Sequence, residues 1–280
     1  MSEATLQRLR RALDISGATL DFLQEPDAVK AYLDSLPITA GTKKNYYSHI
    51  IVAIRADERF KETVKTYRAW MKAEAEANCK TPQTLTESER SRWLEWEEIL
   101  SVVESLRKKA KSWKLYRNFL TLMLTTAMPP QRLDYSPMRF ASALPEDTTY
   151  NVCVLTDTEA TFYFYHFKTA EWYRKTYGTV KTLVAPPALF SVLQFWRTLN
   201  PSGWLLPKSN KRDPMTSKGL GETITAIFQQ ETGKAVSVDI LRHSYISYRR
   251  RGEMSKAEKE ELARAMGHTT GMNEEYRRVE

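Results

Sequence analysis

The chain has 280 residues, of which 42% are hydrophobic, 11% aromatic and 27% charged, with only 10 glycines and 12 prolines. These proportions exclude collagen-like and disordered classes, and the length suits one large or two modest globular domains. Forty-two Lys and Arg against 34 Asp and Glu give a net charge of +8, which favours a polyanionic partner.

The first part of the chain, residues 4–75, is predicted to be a bundle of four helices, because apolar residues recur at helical spacing. Thr42 is the expected N-cap of the third helix. The four apolar stripes are Leu6/Leu9/Leu13/Ile15, residues 28–36, Tyr46/Ile50/Ile51/Ile54 and Val64/Tyr67/Trp70/Met71. The solvent face of the bundle is expected to be basic, with Lys43, Lys44, Arg55, Arg59, Lys61 and Lys65.

A polar segment with no sustained period, residues 76–90, follows the bundle and contains a proline, which is typical of a linker. The predicted organisation is therefore a helical domain over 1–78, a linker over 79–90 and a second domain over 91–280.

The second domain is predicted to be mainly helical with one small antiparallel sheet. It opens on a helix with Trp93, Trp96, Ile99 and Val102, followed by an apolar core helix over 115–128 that Pro129 and Pro130 end. The predicted strands, rich in β-branched and aromatic residues, are 151–156, 160–168 and 178–184. Helices resume over 188–199, 220–230, 238–250 and 255–266, and a short last element carries Tyr276.

Several kinds of chemistry have no signature in this sequence. There is no Walker-type phosphate loop, dinucleotide fingerprint, HExxH or GxSxG motif. The four histidines are too dispersed for a zinc site, and Cys79 and Cys153 match no metal spacing, so we expect neither metal nor cofactor. The N-terminus is charged and no apolar run approaches about 18 residues, so we expect an intracellular protein with no membrane partner.

The residues most suggestive of chemistry lie near the C-terminus. Residues 239–247 (DILRHSYIS) have a helical period, residues 265–268 (AMGH) follow, and Tyr276 comes eight residues after His268. Gly267 stands where a helix ending at Met266 needs a left-handed residue, and this turn would point His268 back towards Arg242.

Together these segments resemble the tyrosine recombinases, or phage-type integrases, whose LRH[ST] box carries a catalytic arginine and whose GH pair precedes a nucleophilic tyrosine. Residues 125–135 (TTAMPPQRLDY) are similar to the TGxRxxE box of the family, with Arg132 at its arginine and Tyr135 where the family often has Glu. Residues 39–47 (TAGTKKNYY) resemble a segment of its helical core-binding domain. The Pro-Pro-Gln-Arg variant is most similar to recombinases of eukaryotic mobile elements and large DNA viruses.

The resemblance implies an enzyme that cleaves and rejoins DNA strands through a 3′-phosphotyrosyl intermediate, in the integration or excision of a mobile element or viral genome. Its two domains would form a C-shaped clamp on double-stranded DNA. The enzyme would be a monomer when free and a homotetramer on two DNA sites, in the nucleus or cytoplasm of the host cell. It would need no cofactor. The implied catalytic residues are Arg132, Lys168, Arg242, His268 and Tyr276, and the implied DNA contacts are Lys43 and Lys44.

The position of the lysine stays open. Lys168 is expected at the end of the second strand of the sheet, and Lys175 and Lys181 are rivals because the following turn is longer than usual in the family.

Two departures from the family pattern leave alternatives open. Asp239 stands where the family usually has His, and a carboxylate beside a phosphate would repel it unless it orients Arg242 or points away. A weakened or inactive DNA-binding relative therefore remains an alternative, as does an enzyme like a topoisomerase or telomere resolvase. Only four residues follow Tyr276, so either assembly uses another contact than the usual final helix or the chain is truncated.

Overall fold

The computed structural model describes residues 7, 9, 11, 19–79 and 84–278. The chain divides into two compact units, Met1–Pro82 and Gln83–Glu280, and this division falls within the segment 79–90.

The first unit is helical around an apolar core. Its helices are α1 (Pro26–Ser35), α2 (Ala40–Ile54) and α3 (Lys61–Cys79), with 3-10 turns at Asp21–Gln24 and Glu58–Phe60. The rings of Tyr47, Tyr67 and Trp70 pack together with centroids 5.7–6.0 Å apart. Leu9 is fully buried, while the other residues of the first predicted stripe, Leu6, Leu13 and Ile15, lie outside the described residues.

Two boundaries of the first unit differ from the sequence prediction. Thr39, rather than Thr42, caps α2, because Thr39 has an extended backbone and its hydroxyl accepts the Thr42 N–H at 3.2 Å. Helix α3 continues to Cys79, four residues into the polar segment, because its Ala- and Glu-rich end forms helix without an apolar stripe.

The second unit contains nine described helices and four strands. Its helices are α4 (Glu87–Arg90), α5 (Trp96–Lys109), α6 (Trp113–Thr126), α7 (Ala170–Tyr177), α8 (Pro187–Leu199), α9 (Ser217–Thr232), α10 (Val238–Arg249), α11 (Lys256–Met266) and α12 (Thr270–Tyr276). Its strands are β1 (Met138–Ala141), β2 (Asn151–Leu155), β3 (Ala160–Phe164) and β4 (Lys181–Val184). The mainly helical class with one small sheet is confirmed.

The sheet is mixed rather than antiparallel, which corrects the prediction. Its strand order is β1-β2-β3-β4, with β1 parallel to β2 and the other pairs antiparallel. Strand β1 was not predicted, since four residues (MRFA) after a proline give too short a pattern. Strand β3 ends at Phe164, so Lys168 lies beyond the sheet, and helix α7 fills what was predicted as a long turn.

Two further features of the second unit bear on its function. Helix α4 lies inside the predicted linker and is held by a capping box between Thr86 and Glu89. Helix α6 is a buried core helix, as predicted, and ends just before Pro129. In the described ranges, no helix combines the length and the apolar character needed to cross a membrane.

Candidate functional site

Two arginines from distant parts of the second unit meet beside one histidine. Arg132 lies in the loop after α6, and Arg242 lies on the buried face of α10, with none of its surface exposed. Arg242 Nη1 donates a hydrogen bond to the Pro130 carbonyl at 2.5 Å. That bond ties α10 to the loop that carries Arg132.

His268 lies between the two guanidinium groups. Its Nε2 atom is 3.1 Å from Nη2 of Arg132 and also contacts Nη2 of Arg242. Because a guanidinium only donates hydrogen bonds, Nε2 must be the acceptor and the proton of the neutral ring lies on Nδ1. Nδ1 is 3.1 Å from Oδ1 of Asn273, which accepts it. Burial first, and then the charges of both arginines, lower the pKa of His268 to about 3.

Gly267 gives His268 its direction, as the sequence predicted. Its φ of 68° is left-handed and ends α11. The His268 N–H then donates to the Ala263 carbonyl at 2.9 Å, and the Thr169 hydroxyl donates to the Gly267 carbonyl at 2.8 Å. The turn is therefore fixed from both sides.

Tyr276 is the last residue of α12 and lies beside the cluster formed by Arg132, Arg242 and His268. Its ring centroid is 4.9 Å from that of His268, and the guanidinium carbon of Arg242 is 5.3 Å from the Tyr276 ring centroid. His243 stacks on the Tyr276 ring at 4.6 Å, and its Nδ1–H donates to the Tyr276 carbonyl at 2.6 Å. The phenol is thus held against the arginine and histidine side chains by contacts from α10.

The residues after Tyr276 are anchored to the same unit. The Arg278 N–H donates to the Ser247 hydroxyl at 2.8 Å, and its guanidinium pairs with Glu89 of α4 at 2.8 Å. The pKa of Glu89 is lowered to about 2, because the hydrogen bonds from Arg278 and Thr86 outweigh its burial.

The three candidate lysines have very different surroundings. Lys168 is exposed and lines the cavity beside Arg132. Lys175 is exposed on α7 and pairs with Glu171 at 2.7 Å. Lys181 of β4 is buried, and its Nζ lies 2.6 Å from Oε1 of Gln131. Lys181, one of the two rivals, therefore lies buried beside Gln131 in the loop that carries Arg132, whereas the predicted Lys168 lies at the cavity that Arg132 also lines.

Three residues of the cluster were not predicted from the sequence. Gln131 and Asn273 are buried amides, and Asp134 lies 3.9 Å from Lys181. Tyr135, predicted at the glutamate position of the TGxRxxE box, packs in the core against Phe162 and Phe164, and the carboxylate beside Lys181 belongs to Asp134, one residue earlier. That one-residue offset gives no signal in the sequence.

An open cavity of about 1330 Å³ lies in front of the cluster. Arg132, Tyr276 and Lys168 line it, and so does the exposed Asp239 in the first turn of α10. Arg242 is held by hydrogen bonds that it donates to the Pro130 carbonyl and to His268, rather than by Asp239.

The predicted DNA contacts of the first unit differ from each other. Lys43 is half-buried and pairs with Asp34 at 2.6 Å, whereas Lys44 is exposed. Across residues 19–79 and 84–278, no group of three or more His, Cys, Asp or Glu side chains is arranged to hold a metal ion.

Comparisons with known proteins give similarities to solved structures only. The crystal structure of XerA recombinase matches with a TM-score of 0.42 and 14% identity, over all of this chain and 89% of that chain. A lambda integrase dimer bound to a COC′ core site matches with a TM-score of 0.42 and 14% identity, over 98% of this chain and 76% of that chain. A lambda integrase tetramer bound to a Holliday junction has a TM-score of 0.36. No family model and no curated protein matches the sequence.

Proposed function

We propose that this protein is a DNA strand transferase that cleaves and rejoins DNA through a covalent tyrosine intermediate. The observation that carries the proposal is a pair of arginines that converge without an ion-pair partner. Among the described residues, neither Arg132 nor Arg242 has a carboxylate within salt-bridge distance, and Nε of Arg242 is buried without an acceptor. Buried guanidinium groups are normally paired, so this site suits an anion that arrives from outside.

The chemistry of a phosphodiester fits that arrangement. Two guanidinium groups can hold the non-bridging oxygens of a phosphate and stay charged at any relevant pH. Fixed positive charge is most useful where negative charge develops, as it does in the pentacoordinate transition state. In the free protein, the lone pair of His268 takes the position between Arg132 and Arg242 that a phosphate oxygen would occupy.

Tyr276 is the nucleophile in this proposal. Its phenol gives up its proton to solvent in the open cavity as its oxygen forms a bond to phosphorus. The bond from phosphorus to the 5′ oxygen breaks, and a second proton passes from the protein to the departing oxygen. The product is a 3′-phosphotyrosyl link and a free 5′ hydroxyl. The reverse reaction with another 5′ hydroxyl rejoins the strand without any cofactor.

We further propose that both units contact double-stranded DNA as a clamp, with Lys43 and Lys44 among the phosphate contacts. Exchange between two duplexes requires four strand cleavages, and each chain offers one nucleophile. That arithmetic supports a homotetramer on two DNA sites, and we propose that it assembles from free monomers. Integration or excision of a mobile element or viral genome is the expected outcome, in the host nucleus or cytoplasm.

A second candidate function is DNA binding without cleavage. Its support is Asp239, whose carboxylate faces the same cavity as Tyr276 and would repel a phosphate there. A topoisomerase or telomere resolvase would share the chemistry of the first candidate and differ in its products.

A nicked suicide substrate separates these functions. We expect the wild-type protein to form a covalent adduct that survives denaturing electrophoresis, and mass spectrometry to find the nucleotide on Tyr276. We expect Tyr276→Phe to form no adduct and to bind DNA nearly as tightly, since only one hydroxyl is lost. Tight binding by wild type without an adduct would favour the second candidate, and an adduct on another tyrosine would contradict the assignment.

A further inference from the structure

Gln131 connects three parts of the site through one buried amide. The side chain is fully buried. Its Nε2 donates to the Pro129 carbonyl at 2.6 Å, in the loop before Arg132, and to the Ala265 carbonyl at 3.1 Å, at the end of α11. Its Oε1 accepts from Lys181 Nζ at 2.6 Å.

The orientation of this amide is forced by its partners. Carbonyl oxygens only accept hydrogen bonds, so the NH₂ group must face Pro129 and Ala265, and the amide oxygen is left for Lys181. Within the part of the chain that the structure describes, Gln131 is the one side chain that accepts a hydrogen bond from the Lys181 ammonium.

Few other groups around Lys181 could accept a hydrogen bond from its ammonium. The rings of Phe164 and Phe167 lie 4.4 and 4.1 Å from Nζ, and Asp134 is 3.9 Å away, beyond hydrogen-bond distance. Phe167 also lines the open cavity. Lys181 therefore lies behind Phe167 at the cavity wall, and among the described residues its ammonium has a single hydrogen-bond acceptor.

We propose that Gln131 is a positioning residue that holds Lys181 as the proton donor to the departing 5′ oxygen. This inference rests on the proposed function. As the bond from phosphorus to the 5′ oxygen breaks, a proton moves from Nζ to that oxygen and leaves a neutral amine. During rejoining, the attacking 5′ hydroxyl returns its proton to Nζ, the bond from phosphorus to the Tyr276 oxygen breaks, and the phenol regains a proton from solvent.

The charges around Lys181 suit that role. Burial is the largest influence and lowers the pKa of Lys181 to about 7, with Asp134 acting upwards and Arg242 and Arg132 acting downwards. A proton donor is most effective when its pKa is near the working pH. His268 also faces this cluster, but its Nε2 lone pair is engaged by the arginines, so it has no proton to give there.

The pH dependence of cleavage tests the role of Gln131. Cleavage by wild type should fall as the pH rises through the pKa of Lys181. Gln131→Met keeps the volume and removes the acceptor, which destabilises the ammonium and should move this alkaline limb to lower pH. Gln131→Glu adds an opposite charge and should move it to higher pH by about 1–3 units. A loss of stability alone would not move the alkaline limb in opposite directions in the two Gln131 variants.

A substrate with sulfur in place of the 5′ bridging oxygen tests the proton step itself. A thiolate leaves without being protonated, so this substrate should restore cleavage by Lys181→Met and Gln131→Met to within about tenfold of wild type. Arg242→Ala should remain slow on both substrates. Asn200→Leu removes a fully buried amide that bonds Trp204 and Ser202 and serves as the control. It should lower the melting temperature without moving the alkaline limb.

The outcomes separate this inference from the proposed function. If wild type forms no adduct on either substrate, the proposed function fails and the inference fails with it. If wild type forms the adduct but both Gln131 variants keep the wild-type alkaline limb, only the role of Gln131 is wrong. If the sulfur substrate restores cleavage by Lys168→Met but not by Lys181→Met, Lys168 is the proton donor and the inference is overturned.

Discussion

Asn273 fixes the tautomer of His268: its Oδ1 lies 3.1 Å from the histidine Nδ1. The proton on Nδ1 leaves the Nε2 lone pair facing Arg132 and Arg242. A neutral imidazole thus separates two positive charges in the free protein, and protonating it would bring three charges together.

The stability of the fold should therefore depend on pH through His268. Its pKa is lowered from 6.5 to about 3, so the unfolded chain binds a proton between these values while the folded chain does not. Stability from the neutral ring is fully present above pH 6.5 and is lost as the pH falls towards 3. We expect wild type to lose up to about 4 kcal/mol more than His268→Gln over this range. Urea unfolding of both proteins at several pH values measures the difference, and parallel curves would contradict the assignment.

Asn273 itself should control activity through the orientation of His268. Asn273→Leu removes the acceptor and frees the ring to rotate, so covalent capture should slow by about 10- to 100-fold while DNA affinity changes little. Asn273→Asp keeps the acceptor and adds a negative charge, which raises the pKa of His268 and should reduce the acid sensitivity described above. Capture rates, Kd and urea unfolding of the two variants check this pair of effects. Equal effects of Leu and Asp would mean that Asn273 only fills space.

Most helices could be predicted from the sequence because their apolar stripes are long. Helix α6 is an example, since its apolar run and the prolines after it determine both its type and its end. Strand β1 and helix α7 could not be predicted, since their short patterns depend on the strands and side chains they pack against. The sheet is mixed only because β1 runs parallel to β2, so its mixed type could not be predicted without β1.

The site could be predicted from the sequence only where a short motif identifies the residue and a turn indicates which way the chain runs after it. Arg132, Arg242 and His268 were identified from short motifs, and Gly267 indicated the turn that brings them together. The position of Lys181 depends on where β3 ends and β4 begins, which the strand pattern over 160–184 does not define. Gln131 and Asn273 act through their hydrogen bonds across 50 and 5 residues of sequence, and buried amides have no sequence signature.

Arg278 should stabilise the position of Tyr276. Its pair with Glu89 leaves each side chain only 16% exposed, so removing one partner leaves the other partly buried and unpaired. We expect Arg278→Met to cost about 1–3 kcal/mol in stability and to increase hydrogen exchange in α12. Lys175→Met removes a pair whose side chains are 75% and 80% exposed and should change stability by less than about 0.5 kcal/mol. Equal losses from the two variants would show that the anchor has no special role.

The two lysines of the first unit should contribute unequally to DNA affinity. Lys44 is exposed, whereas Lys43 is already paired with Asp34. Lys44→Ala should lower the slope of log affinity against log salt by about one, the value for one lost phosphate contact. Lys43→Ala should change the slope less, because the pair with Asp34 must break before Lys43 can neutralise a phosphate. A larger effect at Lys43 would contradict this order.

A methyl group at Gly267 should damage the site more than the same change at another left-handed glycine. Gly267 has φ +68° and Gly233 has φ +74°, so Ala at either position adopts an unfavourable backbone that costs roughly 1–2 kcal/mol.

At Gly233 a new Cβ meets nothing within 4 Å. At Gly267 it would lie 3.1 Å from a ring carbon of Phe167 and 3.5 Å from Lys181 Nζ, so the ring must shift or the turn must move. Either movement displaces groups next to the proposed phosphate site. We therefore expect similar losses of thermal stability from the two variants, but a loss of covalent capture of about tenfold or more from Gly267→Ala only. Equal capture rates would mean that the turn before His268 tolerates displacement, and that its close packing against Phe167 and Lys181 is not needed for the reaction.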